Sequence, residues 1–301
     1  MLRRYITTVR RNIRAEVGVE SRSRTASVAL QTGVFFLSAF AITWAAGSLV
    51  LLSNQAALIG GGLSHPAIAL PVGLALTLLL VADLGPTIGA LIALGLFDGR
   101  RGVRRWLGQL ARWRIAWYWY ALALVGPTAI SLVAVGVFAA AGGVLGPSWI
   151  LLQPGRIALT AVGGWAEELG WRGFAQPKLQ GRISAAAAAV LVGVMWNVWH
   201  QWQVAAPGGA AFAWDDEWRS LMYLISVSVL IAWIYNSTRA SLPSAIAGQV
   251  GINAVRFNPY PVAFVSVAFA VTAVLVTIIA GPKSLIRRGA QPPSPLESDQ
   301  D

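Results

Sequence analysis

The chain has 301 residues, of which 56% are hydrophobic and 12% are charged, whereas ordinary globular chains carry about 25% charged residues. Because the chain also lacks cysteine, this composition excludes a soluble enzyme, a disulfide-linked secreted domain and a disordered chain. The net charge of +11 comes from arginines that lie between apolar stretches, so it indicates membrane topology and not binding of nucleic acid. The sequence therefore predicts an all-α polytopic membrane protein whose partner is the lipid bilayer.

Apolar stretches separated by helix breakers predict about eight transmembrane helices, each long enough to cross roughly 30 Å of hydrocarbon. In chain order they cover residues 27–52, 67–97, 116–141, 155–174, 184–203, 220–236, 241–257 and 262–281. The second stretch is long for one crossing, and Gly85-Pro86 inside it predicts a kink or a break.

These stretches divide the chain into five predicted segments. A basic N-terminal segment precedes the N-terminal transmembrane helices, a core follows, and one more transmembrane helix leads to a polar tail that we expect to be disordered. The segments are residues 1–26, 27–150, 151–260, 261–281 and 282–301.

Basic residues cluster in three places: before residue 25, between the second and third spans, and after the last span. With eight spans, all three clusters lie on the same side of the membrane. The positive-inside rule then predicts a multi-pass protein of the cell membrane with both termini in the cytoplasm.

Ionisable residues inside the predicted spans are functional candidates, because each one costs free energy in a bilayer. They are Asp83, Arg156, Glu167, Glu168, Arg172, His200 and Arg256. Glu168 and Arg172 are four residues apart and share a helix face, which predicts a structural ion pair. Glu167 has no such partner on its own helix, so it is the carboxylate that is free to act chemically.

Two further residue sets are predicted to lie at the depth of Glu167. Counted from the turn near residues 182–184, Glu167 and His200 fall at similar depth on two antiparallel helices. Gln249 and Asn253 are four apart and share one face of a later helix. These polar groups either form a catalytic site, with amide donors to a developing oxyanion, or join neighbouring helices.

Three motifs in this order resemble the CPBP family, the intramembrane CAAX-type prenyl endopeptidases and bacteriocin-processing or immunity proteins. Glu-Glu-x-x-x-Arg is complete at residues 167–172. The aromatic residue four positions before His200 is Trp196, where the family usually has Phe. In the third motif Gln249 precedes Asn253 by four residues and occupies the position of the family's second His.

The resemblance implies an intramembrane endopeptidase that acts on a hydrophobic or membrane-associated peptide. It implies that Glu167 is a general base for water, that His200 orients this water or acts as an acid, and that Asn253 donates to the oxyanion. Gln249 replaces a histidine, and a catalytic zinc needs about three protein ligands. We therefore expect no cofactor, with zinc disfavoured.

Two other functions remain open from the sequence. A catalytically weakened or inactive relative would act as a membrane peptide-binding or immunity protein. A transporter would use Asp83, Glu167 and His200 as a proton relay. The transporter ranks below the other two, because the sequence shows no repeated halves.

Overall fold

The computed structural model describes residues 2–59, 63–145, 150–152, 154–205, 214–257, 262–287 and 289. Within these ranges, the side chains of residues 2–26, 59, 150–152, 154–161, 214–215 and 255–257 are not described. The tail that we expect to be disordered lies mostly outside the described residues. The side chains of Arg156 and Arg256 are also not described.

The chain folds into twelve α-helices in the part that the structure describes. They are α1 Leu2–Leu51, α2 Val72–Asp83, α3 Gly85–Phe97, α4 Gly99–Gly108, α5 Trp117–Ala140, α6 Pro154–Gly170, α7 Gln176–Gln180, α8 Ala185–His200, α9 Trp202–Ala205, α10 Trp214–Ser237, α11 Leu242–Asn253 and α12 Val262–Ala280. Short 3-10 helices cover Ala56–Ile59 and Gln109–Ala111, and a π-helix covers Trp171–Ala175. Strands β1 Ile150–Leu152 and β2 Val255–Phe257 pair antiparallel, with Leu151 opposite Arg256.

The fold is that of a helical polytopic membrane protein. Among the described residues, four helical stretches are long and apolar enough to cross a bilayer: Ser27–Leu51, Trp117–Ala140, Asp216–Ser237 and Val262–Ala280. The pair α2 and α3 adds a fifth if it is one span, with a bend of 55° between the two helices. This bend confirms the break that Gly85-Pro86 predicts.

Two of the eight predicted spans, 184–203 and 241–257, correspond to shorter helices, whereas the predicted span 155–174 is covered by α6 and the π-helix that continues it. Helices α6, α8 and α11 contain 17, 16 and 12 residues. At about 1.5 Å per residue, α11 measures roughly 18 Å, which is less than the thickness of the hydrocarbon core. The predicted span 241–257 is too long, because its last three residues form β2. The first motif lies on α6 and its π-helical continuation, and the other two motifs lie on the short helices α8 and α11.

A glycine fixes the contact between α3 and α6. A Cβ atom placed on Gly170 would lie 2.5 Å from the Cβ of Pro86 and 2.6 Å from its backbone, so only glycine fits there. Thr87 reinforces this contact by donating a hydrogen bond to the carbonyl of Ala166. The break between α2 and α3 is therefore held against the turn of α6 that carries Glu167 and Glu168.

Aromatic side chains fill the core beside this contact. One buried cluster joins aromatic residues from α1, α4, α8 and the π-helix: Phe35, Trp106, Trp171, Phe174, Trp196 and Trp199. The rings of Phe35 and Trp171 meet edge to face at 5.6 Å, and those of Trp171 and Trp199 at 6.0 Å. Such edge-to-face pairs contribute about 0.5–1.5 kcal/mol each beyond their buried area.

Contacts between loops show which helix ends share one side of the bundle. Arg112 Nη1 donates to the carbonyl of Arg239 over 2.7 Å, and the backbone N–H of Ala185 donates to the carbonyl of Lys283 over 3.0 Å. Asn236 Nδ2, near the end of α10, donates to the carbonyl of Ser284 over 3.1 Å, so these basic loops meet at one end of the molecule. Asp216 and the start of α10 lie at the other end of that helix.

Candidate active site

Glu168 lies in a buried ion pair. Its Oε1 accepts a hydrogen bond from Nη1 of Arg172 over 2.7 Å, and both side chains are fully buried. The cation neutralises this carboxylate inside the protein, which limits the cost of burying either charge alone. The structure thus places these two residues together on the side of α6 that faces the core.

The segment that carries Arg172 is a π-helix, which continues α6 from Trp171 to Ala175. Two side chains from outside the helix bond to carbonyls at this junction. Trp106 Nε1 donates to the carbonyl of Leu169 and Gln109 Nε2 donates to that of Gly173, each over 2.9 Å. Segments of π-helix are frequent at functional sites. The hydrophobic pattern of the sequence did not reveal this irregularity.

Glu167 accepts hydrogen bonds from two other helices. Trp196 Nε1 on α8 donates to Oε2 over 2.8 Å, and Gln249 Nε2 on α11 donates to Oε1 over 3.2 Å. The guanidinium of Arg172 lies over the ring of Trp196, 5.1 Å from its centroid. Because both donors are neutral, Glu167 is fixed in position without an ion pair to either of them.

His200 lies one helical turn beyond Trp196 on α8. Its Nδ1 is 2.9 Å from the carbonyl of Trp196, and a carbonyl oxygen only accepts, so Nδ1 is the protonated nitrogen. In the neutral ring Nε2 is therefore the acceptor. No hydrogen bond joins His200 to Glu167 among the described residues. The residue of α8 that bonds to Glu167 is Trp196, one turn before His200.

Gln249 and Asn253 have different surroundings although they share a face of α11. Gln249 is buried, and a Cβ placed on Gly164 would lie 2.8 Å from its Cγ, so this glycine lets α11 approach α6. Its Oε1 is buried without a hydrogen-bond partner among the described residues. Asn253 is the last residue of α11, and its Nδ2 donates to the carbonyl of Gln249 over 3.1 Å.

Asp83 reaches the same site from the break in the second span. It is the last residue of α2, and its Oδ2 would lie 3.9 Å from a Cβ atom on Gly163, one turn before Glu167. The two carboxylates are close enough to interact electrostatically. The structure therefore brings together four side chains: Asp83, Glu167, Trp196 and Gln249. His200 lies one turn beyond Trp196 on α8, and Asn253 lies one turn beyond Gln249 on α11.

Residues 147–255 match the model of the type II CAAX prenyl endopeptidase Rce1-like family. These residues are about a third of the chain, and this region is similar to the CPBP/CAAX protease family. A curated relative, CAAX prenyl protease 2 of Methanococcus maripaludis, is 32% identical over 92 residues, which are 29% of this chain and 34% of the relative. The chain thus matches about a third of the length of that relative. All three motifs, from Glu167 to Asn253, lie inside the family region.

A metal would need ligands that the described part of this region does not bring together. No group of three His, Cys, Asp or Glu side chains lies close enough to hold an ion among the residues that the structure describes. Glu168 is held by Arg172, and Gln249 presents an amide where an imidazole would be a better ligand. The expected absence of zinc stays a prediction.

Sequence reasoning missed a chain of polar side chains that bonds to the π-helix of the first motif. Tyr235 donates its hydroxyl to Gln109 Oε1 over 2.6 Å, and Gln109 in turn bonds to the carbonyl of Gly173. Both Tyr235 and Gln109 are buried. A glutamine beside Trp106 in an otherwise basic segment is the one signal in the sequence that points to such a buried contact.

Proposed function

We propose that this protein is an intramembrane endopeptidase of the CAAX type, which hydrolyses a peptide bond in a hydrophobic or membrane-associated substrate. The observation that carries this proposal is the contrast between two adjacent carboxylates. Glu168 is neutralised by Arg172, whereas Glu167 is positioned by two neutral donors from separate helices. A buried carboxylate that is oriented but not paired with a cation is suited to act as a general base.

Glu167 keeps the capacity to bind a water molecule. Each carboxylate oxygen has two lone-pair sites, and Trp196 and Gln249 each use one site on a different oxygen. The water oxygen bonds to the carbonyl carbon of the substrate while one of its protons passes to Glu167. The C–N bond then breaks, and the leaving amine takes that proton from Glu167. The products are a carboxylic acid and an amine.

The other site residues position the reacting groups. His200 offers Nε2 as an acceptor for the second hydrogen of the water, because its Nδ1 is engaged with Trp196. Asn253 supplies its second amide N–H for the oxyanion that forms on the substrate carbonyl, because the first donates to the carbonyl of Gln249. The unused Oε1 of Gln249 accepts from the water or from an N–H of the bound peptide. Neither zinc nor another cofactor has a role in this scheme.

We place the protein in the cell membrane with both termini in the cytoplasm. The described loops with an excess of arginine meet at one end of the bundle, and the acidic start of α10 lies at the other. The substrate is then a peptide that enters from the bilayer. Whether it carries a prenyl group is decided by the substrate experiment below.

A second candidate function is peptide binding without hydrolysis, as a weakened relative or an immunity protein. One observation favours it: Gln249 stands at the position of a family histidine and cannot carry a proton at neutral pH. The site would then hold a hydrophobic peptide without using Glu167 to activate water. This candidate predicts that Glu167 is not needed for the biological effect of the protein.

Substrate trapping with Glu167→Gln separates the two candidates. The variant and the wild type are purified in nanodiscs and given membrane peptides with and without a C-terminal prenyl group. A peptidase cleaves in the wild-type form, and Glu167→Gln lowers the rate by about 10²–10⁴-fold while it still retains the peptide. The matched control is Asp216→Asn, at an exposed residue of α10. Capture without cleavage by both forms supports the binding protein.

A further inference from the structure

Helix α4 has a strongly divided surface. Its sequence GRRGVRRWLG places Arg100, Arg101 and Arg104 on exposed positions, whereas Trp106 is buried. Leu107 nearby is also exposed, although it is a large apolar residue. A short helix that combines exposed arginines with exposed apolar groups is typical of segments that lie in the membrane interface. The predicted chemistry of the protease site makes no use of this surface.

The described residues around α4 add positive charge and little negative charge. Arg112, Arg114, Arg239 and Lys283 are exposed at the same end of the bundle. Asp98 is the one acidic residue there among the side chains that the structure describes, and it is bonded to Lys178 over 2.8 Å. Among the side chains that the structure describes, no carboxylate forms an ion pair with Arg100, Arg101 or Arg104.

The buried face of α4 and the turn that follows it bonds directly to the site helix. Trp106 donates to the carbonyl of Leu169, and Gln109 donates to that of Gly173. These carbonyls flank Arg172, the partner of Glu168. A Cβ atom on Gly173 would lie 2.8 Å from Trp106 Nε1, so the contact is close as well as hydrogen-bonded. An interaction that fixes the position of α4 therefore also stabilises the π-helix.

We propose that α4 is a binding site for the phosphate headgroups of anionic lipids, and that this binding stabilises the π-helix through Trp106 and Gln109. Arg100, Arg101 and Arg104 contact the headgroups, because guanidinium groups match phosphate geometry. Leu107 enters the apolar edge of the interface. The proposal does not depend on whether the site hydrolyses peptides, since it concerns lipid binding and the order of one helical segment.

Lipid binding is tested with the full chain in detergent micelles and short-chain phosphatidylglycerol. Each basic residue at an anionic surface contributes about fivefold to binding, so Arg100→Gln/Arg101→Gln/Arg104→Gln lowers affinity on the order of 100-fold. The matched control removes the same number of charges at the same end: Arg114→Gln/Arg239→Gln/Lys283→Gln. It lowers affinity less than the α4 variant does, because its charges lie on separate loops and do not form one contact surface for a headgroup. Equal losses in the two variants, or equal competition by inorganic phosphate, overturn the α4 site.

The link to the π-helix is tested by hydrogen exchange of the backbone amides of residues 169–176. In the wild type, these amides exchange more slowly in nanodiscs with phosphatidylglycerol than in nanodiscs with phosphatidylcholine alone. In the triple α4 variant, the exchange rates in the two lipids are the same. Trp106→Phe keeps lipid binding but loses the protection, because the ring remains and the N–H is gone. Gln109→Met removes the hydrogen bond from Gln109 to the carbonyl of Gly173 and replaces Trp106→Phe in this test if that variant does not fold. Unchanged exchange in the wild type overturns the link.

Discussion

Trp196 donates its indole N–H to Oε2 of Glu167 over 2.8 Å, across the interface between α6 and α8. Gln249 donates to the other oxygen of the same carboxylate over 3.2 Å. These are the two motif positions at which the sequence departs from the family pattern, Trp in place of Phe and Gln in place of His. Both departures therefore contact one group, and each brings a neutral hydrogen-bond donor to Glu167.

Trp196→Phe tests the first of these donors. The ring stays and the N–H is lost, so a buried carboxylate loses one hydrogen bond, which destabilises the protein by about 1–3 kcal/mol. We expect peptide cleavage to fall as well, because Glu167 is less well oriented. The control is Trp44→Phe, which removes an indole bond to the carbonyl of Trp199 over 3.2 Å. For both variants, the free energy of unfolding in mild detergent and the rate of cleavage are measured. Equal losses of cleavage in Trp196→Phe and Trp44→Phe contradict the role of Trp196.

Gln249→His tests the second donor. The imidazole can donate to Glu167 and can also carry a proton, so we expect cleavage to be kept or to rise. General acid–base help is typically worth about 10²–10⁴-fold, which sets the upper range of the gain. Gln249→Met, which can do neither, lowers cleavage. If no form cleaves any member of a broad hydrophobic peptide library, the binding function takes precedence.

The adjacent carboxylates are expected to differ in their effect on stability. Glu168→Ala leaves Arg172 buried and unpaired, at a cost of about 3–5 kcal/mol. Glu168→Met/Arg172→Met removes both charges and recovers most of that loss. Glu167→Gln keeps an acceptor for Trp196 and lowers stability by less than about 1 kcal/mol. Unfolding free energies in detergent give the comparison, and equal losses for Glu167→Gln and Glu168→Ala contradict the assignment.

Local features of the fold were predictable from the sequence. The break at Gly85-Pro86 follows from proline chemistry, and the helical stretches at 117–140 and 262–280 follow from long apolar runs. The contact of Glu168 with Arg172 needs only a helix, because residues four apart share a face.

Contacts between helices were not predictable in the same way. Whether Trp196 or His200 meets Glu167 depends on the rotation and shift of α8 against α6, and one turn separates the two results. Asp83 reaches the site only because α2 and α3 bend by 55°. The lengths of the helices at 184–203 and 241–257 were overestimated, since apolar windows do not show where α8 and α11 stop.

Metal content gives a further prediction. We expect purified protein to carry well under one equivalent of zinc, and to keep its activity after prolonged treatment with a strong chelator. The reason is the donor set, in which Glu168 is tied to Arg172 and Gln249 is an amide. Elemental analysis before and after chelation gives the result. Stoichiometric zinc that is lost together with activity, and restores it when added back, contradicts the scheme.

The most direct test of the central claim is cleavage of one peptide in water enriched with ¹⁸O, by the wild type and by Glu167→Gln. If Glu167 activates water, the wild type incorporates one ¹⁸O atom into the new C-terminal carboxylate in each first turnover. Glu167→Gln binds the same peptide but produces labelled product about 10²–10⁴-fold more slowly. Labelled product at the wild-type rate from Glu167→Gln would contradict the account.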